Sequence, residues 1–220
     1  MGGGHHVTRP GYDIPRLERC IRLAQERWGV TVYLEPGEAW ALNAGFLASR
    51  VLDLTENGGV KNAILDCSAA CHMPDVIEMP YQPPLYGAAE GSGNRDQGSE
   101  DGGTTALPVG SDARIAPVIV SGNDAAVERR QEASGDASLH TYRLGGPSCL
   151  SGDVIGDYCF DHALREGEVL LFGDLAIYST CKNNTFNGMP LPDIWLRLAD
   201  GSLKRLTAFG YRDFKYRLGS

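Results

Sequence analysis

Three short stretches carry the residue types that do chemistry. Gly2-Gly3-Gly4-His5-His6 places three glycines in a row. With no Cβ in the way, their backbone N–H groups can close around an anion, and phosphate is the natural guest. Glu35 follows the β-branched run Val30-Thr31-Val32-Tyr33-Leu34 and precedes Pro36-Gly37. A carboxylate at that place either serves a site or is a strand-end charge in water. Gly145-Gly146-Pro147-Ser148-Cys149-Leu150-Ser151-Gly152-Asp153 sets a cysteine in a glycine-flanked turn. Such a turn exposes and aims a thiol, although a cysteine on its own is more often a small apolar core residue. Asp153 reads equally as a turn-forming aspartate and as a carboxylate for a ligand ammonium.

The six cysteines are Cys20, Cys67, Cys71, Cys149, Cys159 and Cys181, and none forms a Cys-x-x-Cys pair. They read as reduced thiols rather than a disulfide framework. Cys67, Cys71 and His72 lie close together, but their spacing matches no standard zinc pattern and no second ligand pair accompanies them; no metal is expected. The net charge of -8 over 220 residues argues against nucleic acid and suits a cationic ligand such as a polyamine. No apolar run approaches the ~20 residues that span a bilayer, and residues 1–6 lack a signal-peptide pattern. The expectation is a cytoplasmic protein with no membrane partner.

Positioning these groups falls to two differently patterned regions. Residues 13–29 predict an amphipathic helix, with Ile14, Leu17, Ile21, Leu23 and Ala24 at roughly helical spacing. Asp13 is the expected N-cap, Pro15 sits in the first turn, and Gly29 ends the helix. A strand is expected at 30–34. From about residue 40 the pattern turns to β: strands at 46–54 and 62–66 around the turn Glu56-Asn57-Gly58-Gly59, then at 141–144, 169–172, 193–198 and 203–208, with Asp200-Gly201 as a second hairpin turn. Residues 87–138 are rich in Gly, Ser, Asp and Glu, with Ala116-Pro117-Val118-Ile119-Val120 their only apolar cluster. Such a composition predicts a mostly disordered insert.

Taken in order, the three motifs resemble the back half of carboxynorspermidine (carboxyspermidine) decarboxylase, a pyridoxal-phosphate enzyme related to ornithine and diaminopimelate decarboxylases. Thr8-Arg9-Pro10-Gly11-Tyr12-Asp13 continues the pattern after the first motif. Glu38 stands where relatives outside this branch often carry arginine. The resemblance covers residues 2–86 and 139 to about 215. It implies a mixed α/β and β chain. Residues 1–42 would be the C-terminal remnant of an alanine-racemase-type (β/α)8 barrel. Residues 43–220 would be a mostly antiparallel β-barrel or sandwich domain interrupted by the 87–138 insert.

The same resemblance assigns roles. Gly2, Gly3, Gly4 and Gly37 would approach the phosphate of pyridoxal 5'-phosphate, and Tyr178 would bind it through its hydroxyl. Glu35 would pair with the pyridine nitrogen. Cys149, reaching across a homodimer interface, would return a proton to the substrate carbon. Glu78 and Asp153 would face substrate ammonium groups. The family's cofactor lysine matches none of Lys61, Lys182, Lys204 and Lys215, and the chain is expected to be a fragment lacking it. Two functions follow: decarboxylation of carboxynorspermidine or carboxyspermidine, or a non-catalytic subunit that binds a related decarboxylase.

Overall fold

The computed structural model describes residues 1–79, 81–86, 116–120, 139–176 and 178–219. The chain divides into two compact units, Met1–Asn43 and Ala44–Ser220.

The first unit is built on helix α1 (Ile14–Trp28). Asp13 caps it by accepting from the Arg16 amide at 2.8 Å, and Gly29 closes it in the left-handed region at φ 61°. Leu17, Ile21 and Ala24, spaced at helical intervals, form its half-buried stripe. A one-turn helix, α2 (Gly37–Ala41), follows. Between them the predicted strand at 30–34 does not form. The segment keeps a strand-like alternation, with Val32 and Leu34 half-buried and Thr31 and Tyr33 exposed, but no other strand is assigned in this unit to complete a ladder. Instead the chain terminus donates to the Tyr33 carbonyl at 2.8 Å, and Thr8 Oγ1 donates to the Ala39 carbonyl at 2.6 Å.

The second unit is a mixed sheet. Strands β1 (Gly45–Asn57) and β2 (Val60–Leu65) form the expected hairpin. Gly58 and Gly59 supply the two consecutive positive φ values, 57° and 79°, that a two-residue turn of this hand requires. Then come α3 (Ala69–His72), α4 (Asp75–Glu78), β3 (Leu85–Tyr86), β4 (Ala116–Val120), β5 (His140–Gly145), β6 (Val154–Phe160), β7 (Val169–Phe172), β8 (Ile194–Arg197), β9 (Leu203–Thr207) and α5 (Tyr211–Arg217). The strand order is β6-β5-β2-β1-β4-β8-β9, with β7 also paired to β1 and β3. The pairs β2–β5 and β4–β8 are parallel and the other six antiparallel. No helix among the described residues is long and apolar enough to cross a membrane.

One expectation changes here. The apolar cluster at 116–120, assigned from composition to a mostly disordered insert, is strand β4, antiparallel to β1 and parallel to β8. Its strand partners lie far away in sequence, which a local reading cannot see. The rest of the insert lies outside the described residues.

The core lies where the sheet meets the short helices. Leu47, Val51, Ala63, Leu65, Tyr142, Leu144, Tyr158, Phe160, Leu170 and Phe172 are buried, and Met73, directly after α3, and Val76, on α4, pack against them. Tyr158 and Phe172 meet edge to face with ring centroids 6.1 Å apart. The Tyr158 hydroxyl donates to the Pro83 carbonyl at 2.8 Å, which satisfies its one polar atom in the core. The helices α3 and α4 are thereby fixed on the sheet.

Candidate active site

In the first unit the glycine loop presses against the segment that carries Glu35. A Cβ at Gly3 would sit 2.6 Å from the Glu35 carbonyl oxygen, closer than real Cβ atoms come, whereas Gly2 and Gly4 face open space. The amides of Gly2, Gly3 and Gly4 donate to no backbone carbonyl among the described residues. Gly37 donates its amide to the Glu35 carbonyl at 2.8 Å. Farther along, His6 Nε2 lies 3.0 Å from Glu38 Oε2, and His5 Nδ1 lies 2.7 Å from the Tyr12 hydroxyl. These contacts hold residues 1–12 against 33–39. The glycine loop, whose backbone could accept an anion, therefore lies against the backbone of the exposed residue Glu35. That pairing fits a cofactor with a phosphate at one end and a basic ring nitrogen at the other.

In the second unit Cys149 is exposed on the turn between β5 and β6. Asp153, which closes that turn, is buried, at 4 % exposure. Its Oδ2 accepts from the Ser148 hydroxyl at 2.5 Å, and its Oδ1 accepts from the Ser68 hydroxyl at 3.0 Å and the Ala70 amide at 3.4 Å. Ser68 is also the N-cap of α3, accepting from the Cys71 amide at 3.2 Å. The thiol-bearing turn is thus tied to the start of α3 through one carboxylate.

The other end of α3–α4 meets the segment from Tyr178 to Pro190. Lys182 Nζ donates to Asp75 Oδ1 at 2.5 Å and to Glu78 Oε2 at 2.8 Å, and lies 5.2 Å from the centroid of the Tyr178 ring. The hydrogen bond to Asp75, followed by the one to Glu78, holds the Lys182 ammonium above its ordinary range. Tyr178 is 40 % exposed, on a turn with φ 55°, a value uncommon for any residue but glycine. Asn184 reaches back to α3 twice, its amide to the Cys71 carbonyl at 3.1 Å and its Nδ2 to the Ala70 carbonyl at 2.8 Å.

Cys67, Cys71 and His72 have structural partners. Burial pushes the Cys67 thiol up to about 12, which leaves it an inert core group. Cys71 Sγ points to the Phe186 carbonyl at 3.6 Å, and burial raises its pKa as well. His72 Nδ1 accepts from the Ser68 amide at 3.0 Å, so its proton is on Nε2, which meets the Pro190 carbonyl at 3.0 Å. Burial lowers the pKa of this ring.

The sequence-predicted residues therefore fall into two groups. Gly2, Gly3, Gly4, Glu35 and Gly37 gather in the first unit. In the second, Cys149 and Asp153 attach to one end of α3–α4, while Glu78 and Tyr178 meet at Lys182 at the other. Sequence reasoning missed Ser68, Asp75, Ser148 and Lys182. Ser68 and Asp153 are 85 positions apart and Asp75 and Lys182 are 107 apart, so no local spacing joins them. The available signal for Ser68 was its type, a serine immediately before a helix start.

The family model "Pyridoxal-dependent decarboxylase, C-terminal sheet domain" matches residues 12–176. A curated carboxynorspermidine/carboxyspermidine decarboxylase from Campylobacter jejuni subsp. jejuni serotype O:6 is 34% identical over 217 residues, covering 99% of this chain and 48% of that protein. A carboxyaminopropylagmatine decarboxylase from Synechocystis sp. is 35% identical over 220 residues, covering 100% of this chain and 46% of its own length. The crystal structure of carboxynorspermidine decarboxylase from Campylobacter jejuni, complexed with norspermidine, superposes with a TM-score of 0.69 at 33% identity, over 99% of this chain and 50% of that one. The chain thus spans about half the length of the curated relatives it matches. The match to the family model over most of the chain, with the sheet it describes present in the structure, shows that the chain belongs to the pyridoxal-dependent decarboxylases through their C-terminal sheet domain.

Proposed function

We propose that this chain forms part of a pyridoxal 5'-phosphate-dependent carboxy-lyase that converts a carboxylated polyamine, carboxynorspermidine or carboxyspermidine, to norspermidine or spermidine. The two curated relatives act on different carboxylated amines by their names, so the shared chemistry is loss of carbon dioxide from an amino acid on a long cationic chain. The observation that carries the reading is the close approach of Gly3 to the Glu35 backbone carbonyl, which brings the glycine loop and the Glu35 segment together.

The bound cofactor would supply an electron sink for the carbon that loses carbon dioxide. Gly2, Gly3 and Gly4 would hold its phosphate through backbone amides, with Gly37 letting the backbone come near and the Tyr178 hydroxyl as a further donor. Glu35 would keep a proton on the ring nitrogen, because an adjacent carboxylate favours the cationic form. Cys149 would give a proton to the substrate carbon, a task for which an exposed thiol on a fixed turn is suited. Glu78 would receive a substrate ammonium; it already accepts the alkylammonium of Lys182 together with Asp75, which supports that chemistry. In this reading residues 1–42 derive from the edge of a (β/α)8 barrel, and the complete enzyme is a cytoplasmic homodimer.

Titration with pyridoxal 5'-phosphate, followed between about 330 and 430 nm with borohydride reduction and mass analysis, tests the cofactor assignment. Binding that is weakened by Gly3→Val and by Glu35→Gln supports it. Binding that ignores both changes sinks it.

A second reading, a non-catalytic subunit that docks on a related decarboxylase, is favoured by a different observation. Trp28, Tyr33 and Trp40 in the first unit are 64%, 76% and 81% exposed. Exposed aromatics at that level suit a surface that another protein covers. Co-purification with a full-length decarboxylase would support it, and its absence at micromolar concentrations would count against it.

A further inference from the structure

We infer that Asp153 and Ser148 act as positioning residues for Cys149, holding the thiol-bearing turn in one geometry rather than contacting substrate. The inference rests on the reading of Cys149 as the proton donor.

Asp153 is nearly fully buried and its carboxylate accepts from three protein donors, the hydroxyls of Ser148 and Ser68 and the amide of Ala70. The shortest of the three is the 2.5 Å bond from Ser148. With both oxygens engaged, Asp153 has little left to offer a ligand. The residue on the other side of Ser148 is Cys149 itself, so the shortest of these bonds fixes the backbone directly before the thiol.

The rest of the turn is bound to the same residue. The Gly146 amide donates to the Asp153 carbonyl at 2.9 Å and the Asp153 amide donates to the Leu150 carbonyl at 3.0 Å. The Leu150 amide in turn reaches the Ser148 hydroxyl at 3.4 Å. Gly146 is required by the close fit: a Cβ there would lie 2.3 Å from Asp153 Oδ2 and 2.8 Å from the Cys67 carbonyl oxygen. Ser148 and Leu150, the residues on either side of Cys149, are therefore both hydrogen-bonded, while Cys149 itself stays exposed. A proton donor benefits from such an arrangement, because a donor displaced by a fraction of the hydrogen-bond length loses transfer efficiency steeply. The Ser68 and Ala70 bonds anchor the turn to α3, whose far neighbour α4 carries Glu78. The proposed proton donor and the proposed amine-binding carboxylate thus share one support.

Alkylation of each cysteine by iodoacetamide, read by peptide mass on the whole 220-residue chain, tests this. Cys20 and Cys181 are exposed thiols that serve as internal controls. Ser148→Ala and Asp153→Asn should each raise the Cys149 rate about threefold or more by freeing the turn, with the two controls unchanged, and Ser148→Thr should restore it. Ser148→Ala removes a single hydroxyl and keeps the test usable where Asp153→Asn fails to fold. An unchanged Cys149 rate in both variants overturns the proposal, as does a joint rise at all three thiols. Calorimetry with norspermidine adds the alternative: weaker binding in Asp153→Asn with an unchanged Cys149 rate would make Asp153 a substrate contact and overturn the positioning role. Absence of norspermidine binding to the unmodified chain counts against the decarboxylase reading, and the alkylation comparison still decides the role of Asp153.

Discussion

His72 shows how much a single side chain can bind together. Its two ring nitrogens join the Ser68 amide at the start of α3 to the Pro190 carbonyl, 118 positions away. Burial favours the neutral ring, and the hydrogen bond to Pro190 and the charges of Asp153 and Asp66 offset only part of that. The folded chain therefore takes up this proton less readily than the unfolded chain. The contribution is complete above the ordinary value of 6.5 and is lost as pH falls through the lowered folded value. Urea denaturation at stepped pH from 7.5 downward should show the decline beginning near the ordinary histidine range, and His72→Phe should abolish that component. The same substitution strands the buried Ser68 amide, at a cost of about 1–3 kcal/mol. Gly146→Ala is the matching test at the thiol-bearing turn. The added Cβ meets a backbone oxygen and a bonded carboxylate, so a loss of about 1–3 kcal/mol is expected, with Cys149 alkylation altered in the same variant.

At the scale of elements, the short helices α3 and α4 depend on the sheet beneath them. Phe172 on β7 is fully buried and packs edge to face on Tyr158, which holds Pro83 just beyond α4. Phe172→Ala should cost about 3–5 kcal/mol in chemical denaturation, since it leaves a cavity that neighbouring strands cannot close. The hairpin turn offers a sharper local probe. Gly59 has φ 79°, so Gly59→Ala should cost about 1 kcal/mol through backbone strain alone, without touching the core or the Cys149 turn. A loss several times larger in Gly59→Ala would mean that the β1–β2 register is set by the turn rather than by the buried pairs Ala63 and Leu65.

For the whole molecule, the proposed homodimer predicts self-association in sedimentation velocity. A monomer at every concentration would count against the homodimer. Much was legible in the sequence because it is written locally. Helix α1 and both its caps follow from Asp13, Pro15, Gly29 and a helical apolar stripe. The β1–β2 hairpin follows from two glycines between alternating runs, and strand β7 from a short apolar run bounded by turn residues. The glycine loop, Glu35 and Cys149 stood out for the same reason: their chemistry and spacing are contiguous. What spacing cannot carry is contact at long range. Residues 30–34 look like a strand and are not one in this unit, whereas 116–120 sat in a stretch of disorder-like composition and is one, because a ladder exists only where a neighbour supplies the other half of each hydrogen bond. Asp153 is the clearest case. The sequence determined an aspartate four positions after a cysteine in a glycine-rich turn. Only the tertiary structure decided that its carboxylate faces inward, because the donors that compensate its burial, Ser68 and Ala70, come from a helix start more than eighty positions earlier.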